Sequence, residues 1–278
     1  MSKVNSCIFP VAGFGTRFLP VTKTIPKELL PINNKALIDY SLCEAQTAGI
    51  NKMIMVINKR KELIRKHLSP DPNLTEFLKS KEKEYLIEDN KKIIENCKFN
   101  FINQENMLGL GNAILQTRDI TNEEFFSVIL PDDLCFSEGR SVMEQMIDIH
   151  SQYPDKSIVA VEEVNKKDVS SYGIIDGVPY YEREDLILVN SMIEKPSIDE
   201  APTNLAIIGR YILSAEIFQF LEKIYPDGNG EYQLTDAIKE MAKQEKVLAY
   251  KFSGSRIDCG TYSGFLKANN FFYNNHLK

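Results

Sequence analysis

The feature that most constrains this chain is a short apolar run, VNSCIF (Val4 to Phe9), that ends directly in a long loop rich in glycine and proline. Comparable runs recur as KMIMVI (Lys52 to Ile57), KFNFIN (Lys98 to Asn103) and FFSVIL (Phe125 to Leu130), with helical patterns around Ala36 to Ala48 and Lys61 to His67 between them. Strands alternating with helices spell a largely parallel sheet covered on both faces, because a parallel pair needs a crossover long enough to hold a helix. KFNFIN and FFSVIL read as its next two buried strands. After the turn at Ser69 to Asn73, the residues Leu74, Phe77, Leu78, Tyr85 and Leu86 recur at helical spacing among Lys and Glu, as in an amphipathic surface helix. Past Tyr153 the texture turns β-rich, with SIVAVEEV, YGIID, LILVNSMIEKP and TNLAIIGRYIL. Helices near Ser214 to Ile224 and Gln233 to Lys243, the strand VLAYKF and a helix from about Thr261 follow. Without a flexible linker or internal repeat, residues 1–278 are expected to form one domain, its halves at about 1–150 and 151–278.

With 43% hydrophobic and 26% charged residues, a chain of 278 can bury a core without disulfides, which excludes a disordered, collagenous or coiled-coil protein. Lys+Arg 33 against Asp+Glu 39 gives net charge −6, so no global field attracts nucleic acid or an anionic membrane, and an anionic small molecule needs a local basic patch. No apolar run is long enough to span a bilayer and the amino terminus lacks a signal-peptide core, so a cytoplasmic location is expected. Cys7, Cys43, Cys97, Cys135 and Cys259 show neither CxxC nor zinc spacing and are expected to be buried free thiols. His67, His150 and His276 accompany no G-x-S-x-G elbow, which argues against a nucleophilic triad.

The basic patch lies in Val11 to Lys35, VAGFGTRFLPVTKTIPKELLPINNK, where Arg17, Lys23, Lys27 and Lys35 face only Glu28. The segment follows the first strand, where open α/β sheets place their ligand crevice. Gly13 and Gly15 allow a tight turn whose N–H groups point at one anion, since a Cβ would block close approach. Pro20, Pro26 and Pro31 stiffen the loop and lower the ordering cost of binding. The pattern is neither a Walker A loop nor the full dinucleotide fingerprint.

G-x-G-T-R-F-L-P-x-T-K-x-x-P-K-E-x-L-P resembles the signature of the sugar-nucleotide pyrophosphorylases, in particular their bacterial UTP:glucose-1-phosphate uridylyltransferase branch. The resemblance continues in order through QENMLGLGNA (Gln104 to Ala113), LPDD (Leu130 to Asp133), YGII, IEKP (Ile193 to Pro196), AIIGRYIL, GEYQLTDAI (Gly230 to Ile238) and RIDCGTYSGF (Arg256 to Phe265). It implies a Rossmann-like three-layer α/β nucleotidyltransferase fold with a mixed, mostly parallel central sheet. The first half would bind nucleotide, and an added β-rich half would bind sugar and serve oligomerisation. The implied reaction is Mg²⁺-dependent transfer of UMP from UTP to α-D-glucose 1-phosphate, giving UDP-glucose and pyrophosphate by direct in-line attack. A homo-oligomer, dimer or tetramer, is implied as well.

Nucleotidyl transfer requires the triphosphate charge to be neutralised and the attacking oxygen held in line with phosphorus. By resemblance Arg17 and Lys27 are the catalytic cations: Arg17 stabilises the departing pyrophosphate and Lys27 contacts phosphates near the reacting centre. LPDD follows an apolar strand, so Asp132 emerges at its carboxyl end. Mg²⁺ favours one or two carboxylates plus phosphate oxygens and water, and the family's metal ligands fall on Asp132 and Asp258, with Asp133 a polar neighbour. Uracil is expected at Gln104, Gly109 and Gly111, with Ala12, Gly13 and Glu28 near base and ribose, while Gly15 and Thr16 complete the nucleotide loop. Glu194 is assigned to glucose hydroxyls, Lys195 to the sugar phosphate and Gly173 to close backbone approach. Neighbours on a regular strand face opposite ways, so Glu194 and Lys195 can share a cleft only at an irregular strand end, for which Pro196 is a cue. The Gln and Thr of GEYQLTDAI read as helix-starting and capping residues. Asn112 stands where the family usually has His, and Ala36 where it generally has Pro; the first bears on nucleotide selection, the second on local backbone. Thymidylyl transfer and a silent nucleotide-sugar sensor are the rivals, and the sensor predicts a missing ligand that this sequence does not lack.

Overall fold

In the computed structural model, which describes residues 4–276, the alternating runs form one nine-stranded sheet. From edge to edge its strands are Lys98–Asn103, Lys52–Ile57, Ser6–Pro10, Phe125–Ile129, Leu205–Ser214, Ser157–Glu163, Val247–Lys251, Arg183–Glu194 and Gly173–Tyr180. The first four run parallel. Leu205–Ser214 then lies antiparallel to both neighbours, and in the remainder only Ser157–Glu163 and Val247–Lys251 pair in parallel. Among the described residues the sheet is therefore mixed rather than mostly parallel, with four parallel and four antiparallel neighbouring pairs, and strands from both halves of the chain share it.

Alternation along each strand builds the layers. Cys7, Phe9, Met53, Met55, Phe125 and Ile129 face Ile38 and Leu42 of helix Leu37–Thr47 and Met143 and Met146 of helix Val142–Gln152. Ile8, Ile54, Val56, Phe126 and Val128 face the other way, toward Ala113 and Ile114 of helix Gly109–Leu115 and Leu234, Ile238 and Met241 of helix Leu234–Ala242. Each large apolar side chain taken fully out of water contributes roughly 1.5–3 kcal/mol, so a helix–sheet–helix sandwich follows from the two-residue period.

Several local expectations are corrected. Lys98–Asn103 is the sheet edge rather than a buried strand, with Lys98, Asn100 and Asn103 exposed. The amphipathic stretch is not one helix. Pro72–Ser80 is capped by Asp71, whose carboxylate accepts from the Leu74 N–H at 3.0 Å, and the chain then breaks at Glu82, in the left-handed region with φ +56°. A second helix, Glu88–Asn96, follows. All five cysteines are free, but Cys43 is exposed and Cys135 half-buried; burial pushes the Cys7 thiol up to about 12. Among the described residues no helix is long and apolar enough to cross a membrane.

From Ser6–Pro10 the chain passes to Lys52–Ile57 and Lys98–Asn103 on one side, then returns to Phe125–Ile129 on the other. The carboxyl ends of Ser6–Pro10 and Phe125–Ile129 therefore flank a topological switch point, where open sheets leave a crevice.

Candidate active site

The loop after the first strand folds as three tight 3₁₀ turns, Thr16–Phe18, Val21–Lys23 and Lys27–Leu29. Gly15 lies in the left-handed region at φ +64°, and a Cβ there would sit 3.2 Å from the Lys27 Cβ, so glycine lets the two arms of the loop close. Thr22 Oγ1 fastens the closure by donating to the Gly15 carbonyl at 2.8 Å. At Gly13 no protein atom lies within 4 Å of the would-be Cβ, so that position fronts open space. Thr16 is exposed at the first turn of the loop. Phe18 is buried against the rings of Tyr262 and Phe265, at 4.9 and 5.6 Å, which carries the loop to the start of helix Tyr262–His276. Arg17 Nη1 there donates to the Gly260 carbonyl at 3.2 Å.

A small antiparallel ribbon, Asp133–Phe136 with Ser255–Asp258, brings distant carboxylates together by setting Asp258 opposite Asp133. The Cys259 N–H donates to the Asp132 carbonyl at 2.7 Å and fixes the end of the ribbon. A Cβ on Gly260 would lie 2.9 Å from Asp258 Oδ1, 3.1 Å from Asp132 Oδ2 and 3.2 Å from Arg17 Nη1, so all three side chains converge on one glycine. Lys27 Nζ binds Asp132 Oδ2 at 2.5 Å. Burial opposes both charges, but each partner favours the other's ionised form: the Lys27 pKa is raised and that of Asp132 lowered. Asp258 is different, because burial and the neighbouring Asp133 and Asp132 carboxylates raise its pKa. Its Oδ1 accepts the Gly260 N–H at 2.8 Å, while Thr261 Oγ1, not Asp258, receives the Gly264 N–H at 3.1 Å in the first turn of the helix. Asp133 lines the same cleft but is engaged by Arg256 at 2.6 Å and by the Gly209 N–H at 2.9 Å. Among the described residues no three His, Cys, Asp or Glu side chains gather as a metal cluster.

Across the cleft, of about 320 Å³, stand Gly173, Glu194 and Lys195. Lys195 has φ +45°, so the strand breaks its alternation at that residue and both neighbours reach the same cleft, with Lys195 Nζ 3.4 Å from Glu194 Oε1. This is the irregular strand end expected before Pro196. Glu194 Oε2 accepts from Thr235 Oγ1 at 3.0 Å. A Cβ at Gly173 would sit 2.7 Å from Thr235 Cγ2, so only glycine lets that pair pack. The capping reading of Gln233 and Thr235 is thereby corrected: neither side chain caps helix Leu234–Ala242, both line the cleft, and Gln233 Nε2 binds Asp227 Oδ2 at 2.9 Å. A larger groove, about 1540 Å³, lies elsewhere, beneath Leu74, Tyr85 and Leu86; the smaller one gathers Arg17, Asp132, Asp258, Glu194 and Lys195 and is the candidate active site.

The remaining residues lie beside the ends of the parallel strands. Ala12 is buried, and its carbonyl accepts from Asn58 Nδ2 just past Lys52–Ile57. Gln104 follows Lys98–Asn103, 3% exposed, its Nε2 donating to Gly109 O at 3.2 Å and to Asn112 Oδ1 at 2.9 Å. Gly109 and Gly111 have a structural reason of their own: added Cβ atoms would lie 2.9 Å from Glu231 Cβ and 2.7 Å from the Tyr232 carbonyl, so glycine lets the first turn of their helix dock on Tyr232. Glu28, expected beside base and ribose, is 1% exposed and paired with buried Lys61 at 2.7 Å, and its other oxygen is buried and unpartnered. Asn58 and Lys61 escape a sequence reading because their partners lie on other segments.

The fold is that of a nucleotidyltransferase, and a sequence model of the nucleotidyl transferase family matches residues 8–275. A UTP–glucose-1-phosphate uridylyltransferase of Pseudomonas aeruginosa is 44% identical over 276 residues, covering 99% of this chain and 98% of that one. A crystal structure of UDP-glucose pyrophosphorylase complexed with UDP-glucose superposes with TM-score 0.91 at 42% identity, covering 98% of this chain and all (100%) of that one. A UTP-bound UGPase from Acinetobacter baumannii gives 0.87 at 34% identity, covering 97% and 93%. The chain belongs to the bacterial UTP–glucose-1-phosphate uridylyltransferases, a family of nucleotidyltransferase enzymes.

Proposed function

We propose that this chain transfers the UMP moiety of UTP to α-D-glucose 1-phosphate, giving UDP-glucose and pyrophosphate by in-line attack of the sugar phosphate oxygen on the α-phosphorus. The supporting observation is the convergence of Arg17, Asp132 and Asp258 on Gly260, with Lys27 on Asp132, in one cleft with Glu194 and Lys195. The names of its relatives carry the same substrates. Phosphoryl chemistry of this kind needs positioning and charge more than a covalent nucleophile, and the cleft supplies both.

In this reading Ala12, Gly13, Gly15 and Thr16 follow the nucleotide, Arg17 neutralises the departing pyrophosphate and Lys27 meets phosphate oxygens at the reacting centre. Asp132 and Asp258 fit a divalent cation: both carboxylates approach one glycine, and Asp258 is disfavoured as an anion by burial and its acidic neighbours, a repulsion that a cation relieves. Two carboxylates leave positions for phosphate oxygens and water, the habit of Mg²⁺, which when bound would neutralise triphosphate charge. Glu194, fixed by Thr235 through Oε2, keeps Oε1 for a glucose hydroxyl, and Lys195 takes the sugar phosphate in the β-rich half. Gln104 presents its amide to uracil.

Pyrophosphate release with Mg²⁺, from UTP, dTTP, ATP, CTP and GTP each against glucose, galactose and N-acetylglucosamine 1-phosphates, tests this. A dominant UTP and glucose 1-phosphate signal is expected. A dTTP preference would move the base assignment, and no release from any pair would end the catalytic reading.

A further inference from the structure

We propose that Asn112 governs base selection by engaging the second Nε2 hydrogen of Gln104, whose nitrogen the Gly109 carbonyl already turns inward, so that the amide keeps no donor for the nucleotide; this deepens, and rests on, the reading that Gln104 meets the base. Gln104 is anchored at the end of its strand, its backbone N–H donating to the Ile57 carbonyl at 2.8 Å. Its Nε2 lies 3.2 Å from Gly109 O and 2.9 Å from Asn112 Oδ1. The sense of these bonds is dictated by chemistry. A backbone carbonyl can only accept, so Gln104 must turn its nitrogen to Gly109, and Asn112 must then offer its oxygen. The Gly109 carbonyl is itself held in place, because this first helical turn docks on Tyr232 through Tyr232 N–H to Leu108 O and Gly111 N–H to Tyr232 O, both at 2.8 Å.

An amide nitrogen carries two hydrogens, and both are engaged. Gln104 Oε1 takes no hydrogen bond from a described residue, nor is it among the wholly buried side-chain atoms left without a partner, so within a residue 3% exposed it is the unengaged end of the amide. Gln104 therefore presents an acceptor and no donor. Uracil and thymine bring an N–H at N3 to such an acceptor, whereas cytosine brings a bare lone pair that faces it unfavourably. Asn112 is a positioning residue: by taking the second Nε2 hydrogen it prevents the amide from offering a donor to cytosine.

The test compares kcat/KM for UTP, dTTP and CTP, each with glucose 1-phosphate, in the parent chain and in Asn112→Leu, Asn112→Asp and Gln104→Ala. Leucine keeps the shape and removes the acceptor, and should reduce the UTP to CTP ratio about tenfold or more while leaving the UTP to dTTP ratio in place, because both of those bases carry the N3 hydrogen. Aspartate restores an acceptor and should hold the UTP to CTP ratio within about threefold of the parent. A merely structural role would move all three nucleotides together. If Asn112→Leu keeps the parental UTP to CTP ratio while Gln104→Ala loses it, Gln104 reads the base without help and the proposal fails. If Gln104→Ala also keeps the ratio, the base is read elsewhere and the underlying assignment falls with it.

Discussion

On the side assigned to the base, Ala12, Asn58 and Gln104 follow three neighbouring parallel strands and are held by neutral hydrogen bonds, Asn58 to Ala12 and Gln104 to Asn112; on the side assigned to the phosphates, Arg17, Lys27, Asp132 and Asp258 arrive on short 3₁₀ turns and a two-stranded ribbon and meet by charge. Neutral bonds are directional, so they can decide which base is accepted. Charges act in any orientation and suit a transferring phosphoryl group, whose charge is spread over several oxygens. In the proposed reading selectivity and rate are therefore built from different materials, and substitutions should separate them.

The largest separation is expected at Asp132. Asp132→Asn keeps the shape and removes the charge, and should lower kcat about 10³-fold with an unchanged circular dichroism spectrum and an unchanged ratio of UTP to CTP use. A turnover within a few-fold of the parent would detach this carboxylate from the chemistry. Its neighbour should behave in the opposite way. Asp133→Ala strands the Arg256 guanidinium, which would retain only Glu162 and the face of Tyr172, and should reduce unfolding stability by about 3 kcal/mol in a denaturant titration. Thr235→Val frees Glu194 Oε2 and should raise KM for glucose 1-phosphate about fivefold, leaving KM for UTP alone. The smallest effect belongs to Ala36→Pro, away from both sides. Ala36 already has φ −65°, so proline fits, and the loss of its N–H bond to Asp39 at 3.3 Å offsets the entropy gained; the melting transition should move by less than about 1 kcal/mol equivalent.

The loop 11–35, the end of FFSVIL and the IEKP strand end were legible because glycine, proline and charge spacing act locally. The alternation in KFNFIN also announced a half-exposed edge, although the run reads as buried if only its apolar residues are counted. Helix Val142–Gln152 carried its own signal in Ser141 and Glu144, a capping box with bonds of 3.3 Å and 2.8 Å, which a search for strands passes over. Other facts depend on contacts that no local pattern encodes. Adjacent Asp132 and Asp133 look alike until Arg256, 123 residues further on, takes one of them. Burial of Glu28 depends on Lys61, and the engaged amide of Gln104 on a turn held by Tyr232.

The ribbon that sets Asp258 opposite Asp133 also imposes an order of events during biosynthesis. A chain emerging from the ribosome, amino end first, has made Arg17, Lys27 and Asp132 long before Asp258, Gly260 and the aromatic residues that clamp Phe18. Until they arrive, the loop has no floor and the acidic pair has one member. A product that stops short of Ser255 lacks Asp258, Gly260 and the rings that clamp Phe18, and so cannot assemble the charged corner.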